Sequence, residues 1–270
     1  MSDPHSQWHG QWHGQSPSYS YGQSQSQSED HREYLTYGYI SNTFGPQPAE
    51  SYQMILFKVD PRVVVAFRHH SHPGAYFVYI QPSLPSPSQL MTNNGPAWLL
   101  DYAVRDGGSV VPQQIWFPQG HGDWRRYVEQ AEFHIPVFFT NADGALGVPV
   151  VNAAGGHMTL LDANQPAPLG DRTTTKIRIC WPGYQPSEHQ VQLRDQTPAR
   201  NPVTLERLVK HVGSRVRQFL SDCMQVQSAD PRWAVGYGGI NVNEVMLIGV
   251  VQVSAGSWMP MLQLMERVVM

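Results

Sequence analysis

The chain has 270 residues and a formal net charge of −3, with hydrophobic residues making up 41%. That length allows one large domain or two small ones, and a near-neutral charge argues against a nucleic-acid footprint spread over the whole chain, leaving a local basic patch open. Cys180 and Cys223 are the only cysteines, too few for a disulfide framework and fewer than a zinc site built on thiolates normally uses.

Residues 1 to 33 contain no Val, Ile, Leu or Phe. They carry an exact tandem repeat, Trp8-His9-Gly10-Gln11 and Trp12-His13-Gly14-Gln15, followed by a Ser/Tyr/Gly/Gln tract. Aromatics without aliphatic partners cannot bury enough surface to offset chain entropy. The sequence therefore predicts a disordered tail over 1–48, with the prion-like pattern that favours weak multivalent self-association. His5, His9 and His13 suit a transition metal by type but have no fixed geometry there. Ser16-Pro17 matches a proline-directed phosphorylation site. The first fifteen residues lack the basic and apolar regions of a secretory signal, and the longest apolar run, Val245–Val251, is far short of the roughly 20 residues that span a bilayer. The expectation is a cytoplasmic or nuclear protein with no membrane contact.

Residues 49–270 read as one globular domain. Tyr52–Val59, Val63–Phe67 and Ala75–Gln81 are rich in β-branched and aromatic residues and read as strands. Pro82-Ser83-Leu84-Pro85-Ser86-Pro87-Ser88 reads as a polyproline-like surface loop; it has PxxP spacing but lacks a flanking cation. Ile135–Thr140 reads as a buried strand, turning at Asn141-Ala142-Asp143-Gly144 into a partner strand, Ala145–Val151. Lys176–Trp181 alternates strictly, with Ile177, Ile179 and Trp181 on one face.

The clearest element is a helix over about 205–221, capped by Thr204 and stapled by Val203 and Leu208. Its apolar residues fall within an arc of about 120°. Gly236-Tyr237-Gly238-Gly239 reads as a turn, Val245–Val253 as a central strand, and Leu262–Arg267 as its neighbour. Strands cluster on either side of one long helix and do not alternate with helices. The fold class expected is α+β, a largely antiparallel sheet packed by that helix.

No nucleophile elbow, phosphate-binding loop, zincin motif or dinucleotide fingerprint occurs. His70 and His72 would share a face of a strand, and His121 is the candidate third ligand of a metal site. Against that stands a Ser-His-Pro-Gly run typical of an exposed loop. Arg207, Lys210, Arg215 and Arg217 on the helix are candidate phosphate contacts, although such cations also serve simply to solvate a surface. Cys223 is a candidate nucleophile by type, but the neighbouring Asp222 would raise its pKa.

Three blocks resemble a family. They are Ile135-Pro136-Val137-Phe138-Phe139 with Asn141-Ala142-Asp143-Gly144 and Leu146-Gly147-Val148-Pro149; Thr173–Ile179 with Trp181-Pro182-Gly183-Tyr184; and Arg194–Pro202. Together, over about residues 133–219, they are similar to an uncharacterised protein family of mushroom-forming (agaricomycete) fungi. The resemblance implies a genuine module and carries no activity, ligand or catalytic residue. The expectation is a non-enzymatic interaction protein with protein partners and no cofactor. The alternatives are a nucleic-acid-associated regulator using the basic helix and a metal-dependent enzyme using the histidines.

Overall fold

The computed structural model describes residues 36–58, 66–69, 71–79, 89–92, 95–105 and 109–265. The Trp-His repeat, His70 and the Pro82–Ser88 loop lie outside them. The described chain opens with two helices, α1 (Tyr39–Phe44) and α2 (Pro46–Phe57). Both correct the sequence expectation, which extended a tail to residue 48 and placed a strand at Tyr52–Val59. Pro46 occupies the first helical position, where its missing N–H costs nothing. Ala49, Tyr52, Gln53 and Leu56 are all buried, and they recur at i, i+3, i+4 and i+7, which is a helical stripe.

Next come β1 (Ala66–His69), β2 (His72–Tyr79), β3 (Gln89–Thr92) and β4 (Gly95–Tyr102). They form an antiparallel sheet in the order β1-β2-β4-β3. A short helix, α3 (His121–Trp124), runs into a π-turn at Arg125–Glu129. Then follow β5 (Val137–Phe138), β6 (Val148–Pro149), α4 (Val150–Gly155), β7 (Thr174–Ile179) and β8 (Ser187–Gln192). The long helix is α5 (Leu205–Cys223), and β9 (Val245–Ser254) with β10 (Ser257–Leu264) closes the fold. The second sheet runs β5-β9-β10-β7-β8, with β6 also on β9. Only β10–β7 is parallel in it. The class is α+β with largely antiparallel sheets. Among the described residues no helix is long and apolar enough to cross a membrane.

The expected partner strand at Ala145–Val151 is only partly realised. Thr140 bridges Leu146, and the turn at Gly144 has φ +87°. Gly147 then takes φ +90°, a conformation that favours glycine. An added Cβ there would also sit 2.8 Å from Ile248 Cδ1. The chain swings onto β9 and, from Val150, into α4.

β9 is buried on both faces. Val245 and Leu247 belong to the core beneath α5, while Ile248, Val251 and Val253 belong to a second core shared with the four-stranded sheet, α1 and α2. The alternation slips by one residue near Gly249, where the pairing with β10 shifts register between Met261 and Leu262. Such a bulge re-aims the side chains beyond it. The expected central strand is present, and it divides the molecule into a helix side and a sheet side.

Candidate functional site

A cleft of about 1230 Å³ opens on the sheet side. It lies at the end of the molecule where β4 and β10 finish and β2 and β9 begin. Phe77 of β2, Leu99 of β4, Phe138 of β5, Met246 of β9 and Leu146 form an apolar floor and walls. Leu161 and Met265 line it while remaining partly exposed. At this end Ala103 bridges Gly38, and Val110 bridges Gln263 of β10.

Polar groups converge at one side. The Tyr39 hydroxyl donates to Gln263 Oε1 at 2.7 Å, and Gln263 Nε2 donates to Ser109 Oγ at 2.8 Å. Arg105 lines the same side. No carboxylate lies within ion-pairing distance of it among the described residues. Asp162 lines the other side, on the loop whose Leu160 bridges Asn141. Burial, then Asp101, push the Tyr39 phenol up to about 12, while Arg105 pulls it down. Burial also raises Tyr102, against a hydrogen bond with Thr140. Both phenols are therefore neutral near pH 7.

Behind Tyr39 and Tyr102 sits the buried carboxylate of Asp101, at the end of β4. Its Oδ1 accepts from the Tyr39 and Tyr102 amides at 3.1 and 2.8 Å, and its Oδ2 accepts from the Ile40 amide at 3.2 Å. Gly38 precedes α1 without a capping side chain, so Asp101 caps that helix from another strand. It thereby fixes Tyr39 in the cleft wall. Burial nevertheless raises this carboxyl to about 7, with the three amides opposing.

A second hollow, about 640 Å³, is bordered by Gln113, Trp181, Tyr184, Asp230 and Trp233. Its polar groups are largely satisfied by one another. Trp181 Nε1 donates to the Trp233 carbonyl at 2.9 Å, the Val235 amide donates to Tyr184 Oη at 2.9 Å, and Arg232 forks onto Asp230. The inter-sheet cleft is both larger and less self-satisfied, which makes it the stronger candidate.

The residues singled out by sequence fall elsewhere, with one exception. His72 lines the cleft, packing its ring 5.6 Å from Phe77. His121 opens α3 and is not part of the lining, and His70 lies outside the described residues. Among the described residues no group of three His, Cys, Asp or Glu side chains is placed to hold a metal. Arg207, Lys210, Arg215 and Arg217 are all exposed on α5. At 100° per residue they spread over about 160° of the helix, so they form no single stripe. Lys210 leans over Gly156 at the end of α4, with Nζ 3.4 Å from where a Cβ would stand. Burial first, then Asp222, push the Cys223 thiol up to about 12, so it is protonated at neutral pH.

Arg105, Tyr39, Gln263 and Ser109 were invisible as a set in the sequence. They come from four separated segments, and none sits in a motif. The one available signal was Asp101-Tyr102 ending an apolar run, a buried acid beside a phenol. Neither a family model, nor a curated protein, nor a solved structure matches this chain.

Proposed function

We propose that this protein is a non-catalytic binding module whose recognition site is the cleft between its two sheets, and that it holds a small apolar or amphipathic molecule there. The observation that carries the reading is the cleft itself: about 1230 Å³, walled by Phe77, Leu99, Phe138, Leu146 and Met246, with a few polar groups gathered at one side. Pockets that bind small molecules have this composition, apolar walls for affinity and sparse polar groups for orientation. Its phenols are held neutral by burial, which suits them to hydrogen bonding and not to proton abstraction at neutral pH. This reading keeps the non-enzymatic role expected from the sequence but replaces a protein partner with a small molecule.

The test is titration of the full chain with the neutral dye N-phenyl-1-naphthylamine, whose emission rises in apolar surroundings. Saturable one-to-one binding is expected. Leu146→Trp, which adds bulk to the cleft wall, should weaken it about tenfold or more while thermal unfolding stays within a few degrees of the parent. Dye binding that is indifferent to Leu146→Trp would sink the reading.

A further inference from the structure

We infer that the cleft is built for an anionic amphiphile, a long-chain carboxylate, whose head group docks on Arg105 and whose chain lies along Phe77, Leu99, Phe138, Leu146 and Met246. This inference rests on the reading of the cleft as a binding site.

Among the described residues lining the cleft, Arg105 and Asp162 are the only Lys, Arg, Asp or Glu side chains. They are separated by the β9–β10 pair. Asp162 is tethered to the β5 side through the Asn141–Leu160 bridge, and β5 pairs with β9. Arg105 stands on the far side of β10, at the start of the segment whose Val110 bridges Gln263. No ion pair joins the two, so the acid does not close on the guanidinium. One end of the cleft is cationic, and its floor is apolar.

Hydrogen bonding at the cationic end is directional. Tyr39 Oη gives its proton to Gln263, and Gln263 gives its own to Ser109. This relay locks the amide and leaves the phenolic oxygen an acceptor beside the guanidinium. Among the described lining residues, the charged donors at this end are the forked N–H groups of Arg105. A guanidinium fork matches a carboxylate in two parallel hydrogen bonds. A phosphate monoester would bring close to two negative charges against one cation, leaving part of its charge unmatched at an apolar wall. A cationic head group would meet Arg105 as a like charge. Charge complementarity thus selects a singly charged anion, and the apolar floor selects a chain behind it.

The experiment displaces N-phenyl-1-naphthylamine from the full chain with four probes sharing one chain length: dodecanoate, dodecyl phosphate, dodecanol and dodecyltrimethylammonium. Each is kept below its micelle concentration and run against the parent and Arg105→Gln. Arg105 is exposed, so the substitution leaves the core intact. Dodecanoate should bind best. Arg105→Gln should weaken dodecanoate about ten- to a hundredfold, the cost of losing charged hydrogen bonds, and change dodecanol by less than about twofold. Equal displacement by dodecanoate and dodecanol, or no response to Arg105→Gln, overturns the carboxylate and leaves the cleft reading standing. Stronger binding of dodecyl phosphate that depends on Arg105 overturns the carboxylate in favour of a phosphate head. Failure of the dye itself to bind overturns both.

Discussion

The two faces of the β9–β10 pair are built to different standards. On the helix side, Leu247 and Val250 pack under α5 in a continuous core, and α5 approaches α4 closely enough that a Cβ at Gly213 would lie 2.5 Å from Ala153 Cβ. On the sheet side there is an open cleft, a buried carboxylate and several orphaned polar atoms. Four buried side-chain polar atoms lack a hydrogen-bond partner among the described residues, and three of them, Thr43 Oγ1, Gln53 Oε1 and Trp98 Nε1, belong to α1, α2 and β4. Interiors normally satisfy such atoms. One face of a single hairpin is thus packed for stability, while the other carries a cavity and unsatisfied polar atoms, local inconsistencies of the kind found at functional sites.

The sharpest way to break this comparison uses two adjacent residues of β9. Leu247 is fully buried beneath the helix, and Met246, pointing the other way, lines the cleft. Leu247→Ala should cost about 2–5 kcal/mol, because both the transfer energy and a new cavity count against it. Met246→Ala should cost less than about 1 kcal/mol, since its side chain already borders open space. Urea denaturation of both variants decides the matter. Similar losses would mean that the cleft side is packed as tightly as the other, and the contrast would be wrong.

Asp101 offers a second test, read as a pH slope. Its folded pKa of about 7 stands above the value near 4 of an unfolded aspartate. The folded state therefore prefers the protonated form, and this group's stabilisation is complete below about pH 4. It is lost as pH climbs toward 7 and is constant above. Tyr39 and Tyr52 are titratable groups tied to it electrostatically, and neither titrates in that window. Against Asp101→Asn, the stability advantage of the parent should shrink by up to about 1.4 kcal/mol per unit between pH 4 and 7. A difference that does not vary with pH would show the carboxyl ionised throughout, held so by its three amides and the end of α1.

The same division explains what could be read in the sequence. α5 was legible because Leu208, Val212, Val216 and Phe219 face one core at helical spacing and nothing else competes for them. β7 was legible because Ile177 and Ile179 alternate against a solvated Lys176. The sheet side was not. In α2 the buried stripe includes the polar Gln53, while Met54, Ile55 and Phe57 put apolar residues off it, so the period blurred toward a strand. The two prolines at its start looked like loop residues, although proline fits a first helical turn. The cleft was less legible still: Tyr39 and Gln263 lie 224 positions apart and meet through one hydrogen bond.

On the helix side, Gly213 is a smaller but stricter test. Alanine is the better helix former by about 1 kcal/mol, so Gly213→Ala would stabilise an isolated α5. In the folded protein the new methyl would meet Ala153 Cβ at 2.5 Å and the Ala154 amide nitrogen at 2.9 Å. Neither can yield without moving α4. A net loss of about 1–3 kcal/mol is expected. A gain in the denaturation midpoint would mean that α4 is free to shift, and that the helix side is looser than its burial implies.

The smallest effect joins the two faces. Thr204 Oγ1 accepts from the Arg207 amide at 3.3 Å, capping α5. The neighbouring first-turn amides have other partners: Leu205 N donates to Gln165 O at 2.8 Å and Glu206 N to Ala163 O at 3.0 Å. Those carbonyls belong to the stretch that begins with Asp162, in the cleft wall. Losing an N-cap hydroxyl usually costs about 1 kcal/mol, and Thr204→Ala should cost no more, because two of the exposed donors keep their bonds. Hydrogen exchange then separates a local effect from a spreading one. If the helix side holds its own end, only the Arg207 amide exchanges faster in Thr204→Ala. If Leu205 and Glu206 quicken as well, the 162–165 segment has come loose with the cap, and the cleft wall depends on the helix it was contrasted with.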